Sequence, residues 1–229
     1  MSESVVRRVR VADAGEVTAL RYEATEGAGR GLLVLAHGAG ADQRHRVMTH
    51  LARGVAARAG DVVTFNFLYT EQRRRTPDRA PVLEQTWTDV VDAIAADFPA
   101  RTRLVVGGKS MGGRIASQVL ARPPATEAWQ RVSGLVLLGY PLHPPGKPAE
   151  LRAAHLPAIR VPVLLVHGTR DPFGTREEVE PVFQSLPVRV DFAFIERGDH
   201  GFAVPTSAGL TEAAVLDGIC ERVASWILG

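Results

Sequence analysis

Continuous apolar runs alternate with helical patterns along nearly the whole sequence, and this alternation constrains the fold more than any other feature. The runs GLLVLAH at 31–37 and VPVLLVHG at 161–168 are apolar at successive positions, as in strands that are buried on both faces of a sheet. Other segments, for example 82–98, repeat their apolar residues at helical spacing. Strands covered on both sides and separated by helices indicate a mostly parallel sheet with helices on both faces.

The alternation predicts eight strands and five helices in one domain covering residues 1–229. The predicted strands are residues 5–11, 16–24, 31–37, 61–67, 102–108, 132–140, 161–168 and 188–196. The predicted helices are residues 42–59, 82–98, 111–121, 175–185 and 209–228, with Asp42 as a candidate N-cap of the first. The segment 141–160, between the sixth and seventh strands, has room for one short helix, so we expect no large cap domain.

Composition excludes several classes of protein. Lys and Arg number 27 against 25 Asp and Glu, an excess too small to favour nucleic acid or an anionic membrane as the partner. No window approaches the roughly 18 apolar residues of a membrane span, the start lacks the apolar core of a signal peptide, and the single cysteine, Cys220, excludes an intrachain disulfide. We therefore expect a cytoplasmic protein. The one dense basic run, Arg73–Arg75, is interpreted as a solvated loop, with an anion-facing rim of a binding site as the alternative.

The stretch GGKSMGGR, residues 107–114, fits two motifs that predict unrelated chemistry. A phosphate-binding loop needs Gly-x-x-x-x-Gly-Lys-Ser/Thr, but Arg103 stands where the first glycine belongs, and the Leu-Val-Val after it belongs to a strand. A nucleophile elbow needs a strand, Gly-x-Ser-x-Gly and a helix. Gly108 and Gly112 supply the small residues on either side of Ser110. We therefore interpret Ser110 as a nucleophile.

A nucleophilic serine needs a base and an orienting acid, which follow such an elbow in the order acid, then histidine. Asp171, in VPVLLVHGTRDP, comes after the seventh predicted strand, and His200, in VDFAFIERGDHGF, comes after the eighth. Both positions lie at carboxyl ends of strands, where parallel sheets place ligands. The sequence therefore predicts a triad of Ser110, Asp171 and His200.

The loop after the third strand, LVLAHGAGAD, has the small residues that let backbone N–H groups turn toward a developing alkoxide. We assign the two oxyanion donors to the N–H groups of Ala39 and Met111. Gly38, Gly40 and Lys109 are candidate substrate-binding residues. Lys109 is interpreted as an exposed or ion-paired side chain; alternatively its charge attracts acidic substrates or tunes the elbow.

Other residues of the same types fit these roles less well. His143 follows the wrong strand and precedes Asp171, so it is the weaker candidate for the base. Asp199 adjoins His200 in the sequence, so their side chains should diverge, and a solvated carboxylate is favoured. His37 and His167 both precede glycine at strand ends, where we expect them to hold loops through backbone hydrogen bonds.

A metal site is not indicated. Asp42, His45 and His50 are separated by three and five residues, which does not set three ligands on one helical face. The chemistry of a serine nucleophile needs no metal or organic cofactor, so we expect none.

HGAGAD at 37–42, FNFLYTEQRRRTPD at 65–78 and GGKSMGGR at 107–114 together carry a family resemblance. The chain resembles the α/β-hydrolase superfamily over essentially its whole length, and its size is similar to that of dienelactone hydrolases and small carboxylesterases. More closely, it looks like a subfamily that includes testis-expressed hydrolase-like proteins and the hydrolase-like region of the third subunit of the non-specific lethal chromatin complex. The resemblance implies the fold and a Ser–Asp–His triad, but no substrate. One such relative looks like a scaffold.

The predicted function is a serine hydrolase that cleaves small carboxylic esters or thioesters through an acyl-enzyme, with amide hydrolysis left open. A dehalogenase would need Asp where Ser110 stands. The alternative from another class is a non-catalytic hydrolase-fold module that binds a protein partner. An intact set of triad and oxyanion residues favours the enzyme.

Overall fold

The computed structural model describes residues 5–25 and 31–229, and its centre is an eight-stranded sheet. The strands are β1 (Val5–Val11), β2 (Gly15–Tyr22), β3 (Gly31–Ala36), β4 (Gly60–Phe65), β5 (Arg103–Lys109), β6 (Val132–Leu138), β7 (Val163–Gly168) and β8 (Val190–Ile195). Their order in the sheet is β1-β2-β4-β3-β5-β6-β7-β8. β2 pairs antiparallel with β1 and β4, and all other neighbours pair in parallel. The predicted mostly parallel sheet is confirmed.

Helices cover both faces of this sheet. They are α1 (Arg46–Ala59), α2 (Leu68–Glu71), α3 (Ala80–Ala95), α4 (Met111–Leu120), α5 (Glu127–Gln130), α6 (Arg176–Gln184) and α7 (Glu212–Leu228). The core of one face includes buried residues of α1 and α7, and that of the other includes residues of α3, α4, α5 and α6. Within the described ranges, no helix is both long and apolar enough to cross a membrane.

The apolar runs are buried on both sides because alternate residues face opposite cores. In β3, Leu32, Val34 and Ala36 belong to the core under α3 and α4, whereas Leu33 and Leu35 belong to the core under α1 and α7. All five are at most 1% exposed. Burying one such leucine contributes about 2 kcal/mol, so these strands are held in place from both faces.

The structure corrects several helix boundaries. Helix α1 begins at Arg46 rather than at residue 42, and Asp42 is not its N-cap, since its carboxylate accepts the N–H of Arg44 in a turn before the helix. The ring of His45 caps the helix instead, accepting the N–H of Val47 at 3.4 Å. Helix α3 begins two residues earlier than predicted and ends at residue 95.

Two further differences concern the start of the last helix and two short helices. The last helix begins at residue 212, because Gly209 adopts a left-handed conformation and Thr211 caps the helix. The short helices α2 and α5 were not predicted. Segment 141–160, which the structure describes in full, contains one 3-10 turn, Leu156–Ala158, so this segment forms no large cap.

Candidate active site

A sharp turn between β5 and α4 presents Ser110. Its backbone has φ 52° and ψ −118°, a left-handed conformation that costs a non-glycine residue about 1–3 kcal/mol. The two flanking glycines allow β3, β5 and α4 to approach closely: a Cβ on Gly108 would lie 2.6 Å from the Ala36 carbonyl oxygen, and one on Gly112 would lie 2.5 Å from it. The surrounding packing thus enforces the strained serine.

The structure brings Ser110, His200 and Asp171 together in one chain of hydrogen bonds. His200 Nε2 lies 2.8 Å from Ser110 Oγ, and His200 Nδ1 lies 2.7 Å from Asp171 Oδ2. Asp171 follows β7 and His200 follows β8, so the parallel strands deliver the residues to a common edge. Because an ionised carboxylate only accepts hydrogen bonds, Nδ1 carries the proton and Nε2 is left to accept from the serine.

The Asp171 carboxylate is held by a second group besides the imidazole. Its side chain is fully buried, and Oδ1 accepts the N–H of Phe173 at 2.8 Å. The ring of Phe173 lies against the His200 ring, with centroids 4.3 Å apart. Each carboxylate oxygen therefore has a partner, and the imidazole is held from its edge and its face.

The proposed oxyanion donors, Ala39 and Met111, flank the serine. Neither N–H has an acceptor among the described residues, so both are free to bind a ligand oxygen. The Tyr69 hydroxyl donates to the Ala39 carbonyl oxygen at 2.9 Å, which fixes the loop from outside. Burial raises the pKa of Tyr69, so its hydroxyl stays protonated as a donor.

His37 holds the base of the same loop. Its Nδ1 lies 2.8 Å from the Gly38 carbonyl oxygen and donates to it, while Nε2 accepts the N–H of Phe67 at 3.3 Å. Burial lowers the pKa of His37, which favours the neutral tautomer that these bonds need. His167 similarly donates from Nε2 to the Gly174 carbonyl oxygen at 2.7 Å. The expectation that both histidines hold loops is confirmed.

A cavity of about 300 Å³ opens beside Ser110. Its wall includes Gly38, Gly40, Met48 and Phe173, so it is mostly apolar beyond the polar groups of the triad. The Cβ of Ser110 would lie 3.4 Å from a Cβ on Gly38, which shows how closely the loop approaches the nucleophile. A small acyl group fits this volume.

Lys109 also borders the cavity, but the interpretation of this residue as an exposed or ion-paired side chain is wrong. Its Nζ is buried without a hydrogen-bond partner among the described residues and lies 4.9 Å from the centre of the Phe202 ring. A Cβ on Gly139 would lie 2.8 Å from Nζ and 3.5 Å from His200 Nδ1. Burial lowers the pKa of Lys109 to about 8, opposed by the nearby charge of Asp171. The ammonium thus lies beside the imidazole and away from solvent.

A second serine–histidine contact was missed by the sequence analysis. Ser117 Oγ lies 2.7 Å from His155 Nε2, and the same hydroxyl donates to the Arg114 carbonyl oxygen at 2.6 Å. His155 lies in the segment 141–160, which has no periodic pattern. No sequence signal links it to α4.

The remaining candidates lie outside the triad. His143 contacts the Pro144 carbonyl oxygen through Nδ1 at 2.8 Å. Asp199 is exposed and accepts the N–H groups of Gly201 and Ala203, so it shapes the loop that carries His200. Across the described ranges, no group of three or more His, Cys, Asp or Glu side chains could hold a metal ion.

Solved structures of known hydrolases share this architecture. A dienelactone hydrolase from Anabaena variabilis is 19% identical, with a TM-score of 0.74, covering 99% of this chain and 97% of that one. A serine hydrolase without a lid from Xanthomonas campestris is 16% identical, with a TM-score of 0.75 and coverage of 99% and 96%. A serine hydrolase homologue from Coxiella burnetii is 16% identical, with a TM-score of 0.74 and coverage of 98% of both chains. At these identities the likeness shows the fold.

The sequence itself matches a family model described as an alpha/beta hydrolase domain over residues 29–228. The matched range contains Ser110, Asp171 and His200. It also contains every element from β3 to α7. Since the match spans far more than half of the chain, the chain belongs to the α/β hydrolase family.

Proposed function

We propose that this protein is a serine hydrolase that cleaves small carboxylic esters or thioesters through an acyl-enzyme. The observation that carries the proposal is the unbroken chain of hydrogen bonds from Ser110 through His200 to buried Asp171. The strained backbone at Ser110 and the unpaired N–H groups of Ala39 and Met111 support the same chemistry. The family supplies the fold; these local features support activity.

The geometry supports a two-step reaction. Ser110 Oγ attacks the carbonyl carbon while its proton moves to His200 Nε2, and Asp171 stabilises the resulting imidazolium. The N–H groups of Ala39 and Met111 bind the oxygen of the tetrahedral intermediate. His200 then gives the proton to the leaving group as the C–O or C–S bond breaks. Water attacks the acyl-enzyme by the same route and frees the serine.

The size of the site favours small substrates. The cavity beside Ser110 holds about 300 Å³, and the segment that could carry a lid contains one 3-10 turn. We expect little hydrolysis of emulsified long-chain triglycerides, because neither the cavity nor a lid would shield long acyl chains from water. The closer resemblance to testis-expressed hydrolase-like proteins, the cytoplasmic location and the absence of nucleic-acid and membrane partners stay predictions.

Labelling with a fluorophosphonate probe tests the proposal, alongside hydrolysis of esters from short to long acyl chains. Ser110→Ala should abolish labelling and reduce turnover at least about 10³-fold. Ser117→Ala is the matched control, because it removes a hydroxyl that also contacts a histidine Nε2. We expect this control to label and turn over short esters as the wild type does.

Two results would contradict the proposal. Labelling that persists in Ser110→Ala would place the reactive group elsewhere. A folded wild type that neither labels nor hydrolyses any ester would favour the other class of function, a hydrolase-fold module that binds a protein partner.

A further inference from the structure

The loop that carries Ala39, one of the two proposed oxyanion donors, separates two cavities. On one side lies the apolar cavity with Ser110, and on the other lies a wider cavity of about 680 Å³. Ala39, Gly40, Ala41 and His45 border both. Because the same four residues border both, the two cavities adjoin each other across this loop.

The second cavity is lined by positive charge. Arg44 and Arg73–Arg75 border it, against one carboxylate, that of Asp42. Arg74 is committed to an ion pair with Asp78. The other three arginines form no ion pair in the described part of the chain. A concave surface with uncompensated cations raises the local concentration of anions.

The basic segment is built onto the oxyanion loop and is not a free surface loop. Tyr69, whose hydroxyl holds the Ala39 carbonyl, also donates its N–H to Asp78 Oδ2 at 2.9 Å. Its carbonyl accepts the N–H of Arg74 at 2.8 Å. Arg73 adopts φ 56°, a strained conformation for an arginine. The arginines are thus presented by a fixed backbone beside the catalytic loop.

We propose that the ester or thioester substrate is anionic, and that the cavity lined by Arg44, Arg73 and Arg75 binds its carboxylate or phosphate group. This inference rests on the proposed function. Arginine suits the task, because its guanidinium forms paired hydrogen bonds with carboxylate and phosphate oxygens. Lys109, the other cation near the site, cannot serve, since its Nζ is buried.

Two pairs of substrates measure the preference and separate the two anions. The first pair is p-nitrophenyl hexanoate and the mono-p-nitrophenyl ester of adipic acid, which has the same acyl length with a terminal carboxylate. The second is S-acetyl-pantetheine and S-acetyl-4′-phosphopantetheine, which share the reacting thioester and the whole thiol arm and differ only in the phosphate. The measured quantity is the ratio of kcat/KM for the anionic member to kcat/KM for the neutral member.

The test variant is Arg73→Ala/Arg75→Ala. We expect its ratio to fall about tenfold in at least one pair, and the wild-type ratio to decline as salt is added. The matched control is Arg8→Ala/Arg10→Ala, which removes the same charge from exposed positions of β1 and should keep the wild-type ratio. A fall in the first pair alone identifies a carboxylate, and a fall in the second alone identifies a phosphate.

An unchanged ratio in both pairs overturns the inference, whatever happens to the absolute rates. If the wild type hydrolyses none of the four compounds, fluorophosphonate labelling decides the proposed function, and calorimetry on Ser110→Ala decides the inference separately. Tighter binding of the anionic member, lost when Arg73 and Arg75 are also replaced, supports an anion site. Equal binding of both members rejects it.

Discussion

Ser110 and Ser117 lie seven residues apart at the start and in the body of α4, and each has a histidine within hydrogen-bonding distance. Ser110 Oγ lies 2.8 Å from His200 Nε2, and Ser117 Oγ lies 2.7 Å from His155 Nε2. Judged by that distance alone, the two pairs are equivalent. The two pairs differ, however, in which group donates the proton and in the charges that surround the imidazole.

The first difference is the direction of the proton. Ser117 Oγ donates to the Arg114 carbonyl oxygen, so its remaining contact accepts a proton from His155 Nε2. Ser110 Oγ has no other partner in the described part of the chain, and its hydrogen is free to point at His200. Only the arrangement at Ser110 leaves the histidine able to act as a base.

The second difference is the charge behind each ring. Asp171 stands behind His200, whereas His155 faces Arg114 and Arg122. Burial and these two cations lower the pKa of His155 to about 4. A proton on His155 is therefore opposed, while one on His200 meets a carboxylate. What distinguishes a reactive pair is therefore the acid behind the ring and the direction in which the proton is donated.

The largest effect is expected from Asp171→Asn, which removes the acid behind the Ser110–His200 pair. The asparagine oxygen can keep the N–H of Phe173, which turns the amide NH₂ toward His200 Nδ1. That forces the proton onto Nε2, where it can no longer accept from Ser110. We expect kcat for a short ester to fall about 10⁴-fold, measured on protein whose thermal unfolding remains cooperative.

Asp199→Asn is the matched control for this change, because it removes a carboxylate one residue from His200. Its oxygen can still accept the N–H groups of Gly201 and Ala203, so we expect kcat to change by less than about threefold. A near-normal kcat in Asp171→Asn, or a large loss in Asp199→Asn, would reassign the acid.

The residues of the proposed site were predictable because the elbow fixes where to look. Gly-x-Ser-x-Gly between a strand and a helix locates Ser110, and strand ends locate Asp171 and His200. The apolar runs gave the strands within a few residues for the same reason, since burial on both faces leaves a continuous signal. Patterns that repeat along the chain are readable without the fold.

Features that depend on contacts between distant segments were not predictable. The start of α1 was placed too early because His45 caps it through its ring, an unusual role for histidine. The burial of Lys109 Nζ depends on Phe202 and Gly139, which arrive from other strand ends. The contact between Ser117 and His155 likewise joins segments 38 residues apart.

A smaller effect is expected from Lys109→Met, which removes the buried cation beside the reactive pair. The pKa of Lys109 is about 8 in the folded protein, below its ordinary 10.5, so the unfolded chain holds this proton more tightly. The folded state bears the full cost of the charge at pH 7, and that cost disappears as pH rises from 8 to 10.5. We expect the variant to raise the free energy of unfolding at pH 7 by about 2 kcal/mol, measured by urea denaturation.

The same substitution should change the pH dependence of activity. Because the pKa of Lys109 is about 8, the wild type loses this cation beside the imidazolium of the transition state as pH rises through 8. We therefore expect kcat of the wild type to rise above pH 8 and kcat of the variant to lack that rise. Lys147→Met is the matched control, since Lys147 is the other lysine of the chain and forms an exposed pair with Glu150. A Lys109→Met protein that has wild-type stability and keeps a rise in kcat above pH 8 would show that the ammonium does not act on the triad.

The smallest effect is expected at the second pair, from His155→Gln. The pKa of His155 is about 4 in the folded protein and ordinarily 6.5, so the unfolded chain binds a proton that the folded one rejects as pH falls from 6.5 to 4. This histidine therefore makes the wild type less stable across that window. Glutamine can still donate to Ser117 but does not titrate. Because the ring is partly exposed, we expect the free energy of unfolding of the variant, relative to the wild type, to be only about 1 kcal/mol higher at pH 5 than at pH 7, measured by urea denaturation at both pH values.

Identical pH dependence of stability in the two proteins would mean that His155 titrates alike whether the chain is folded or unfolded. The contrast between the two serine–histidine pairs would then rest on proton direction alone.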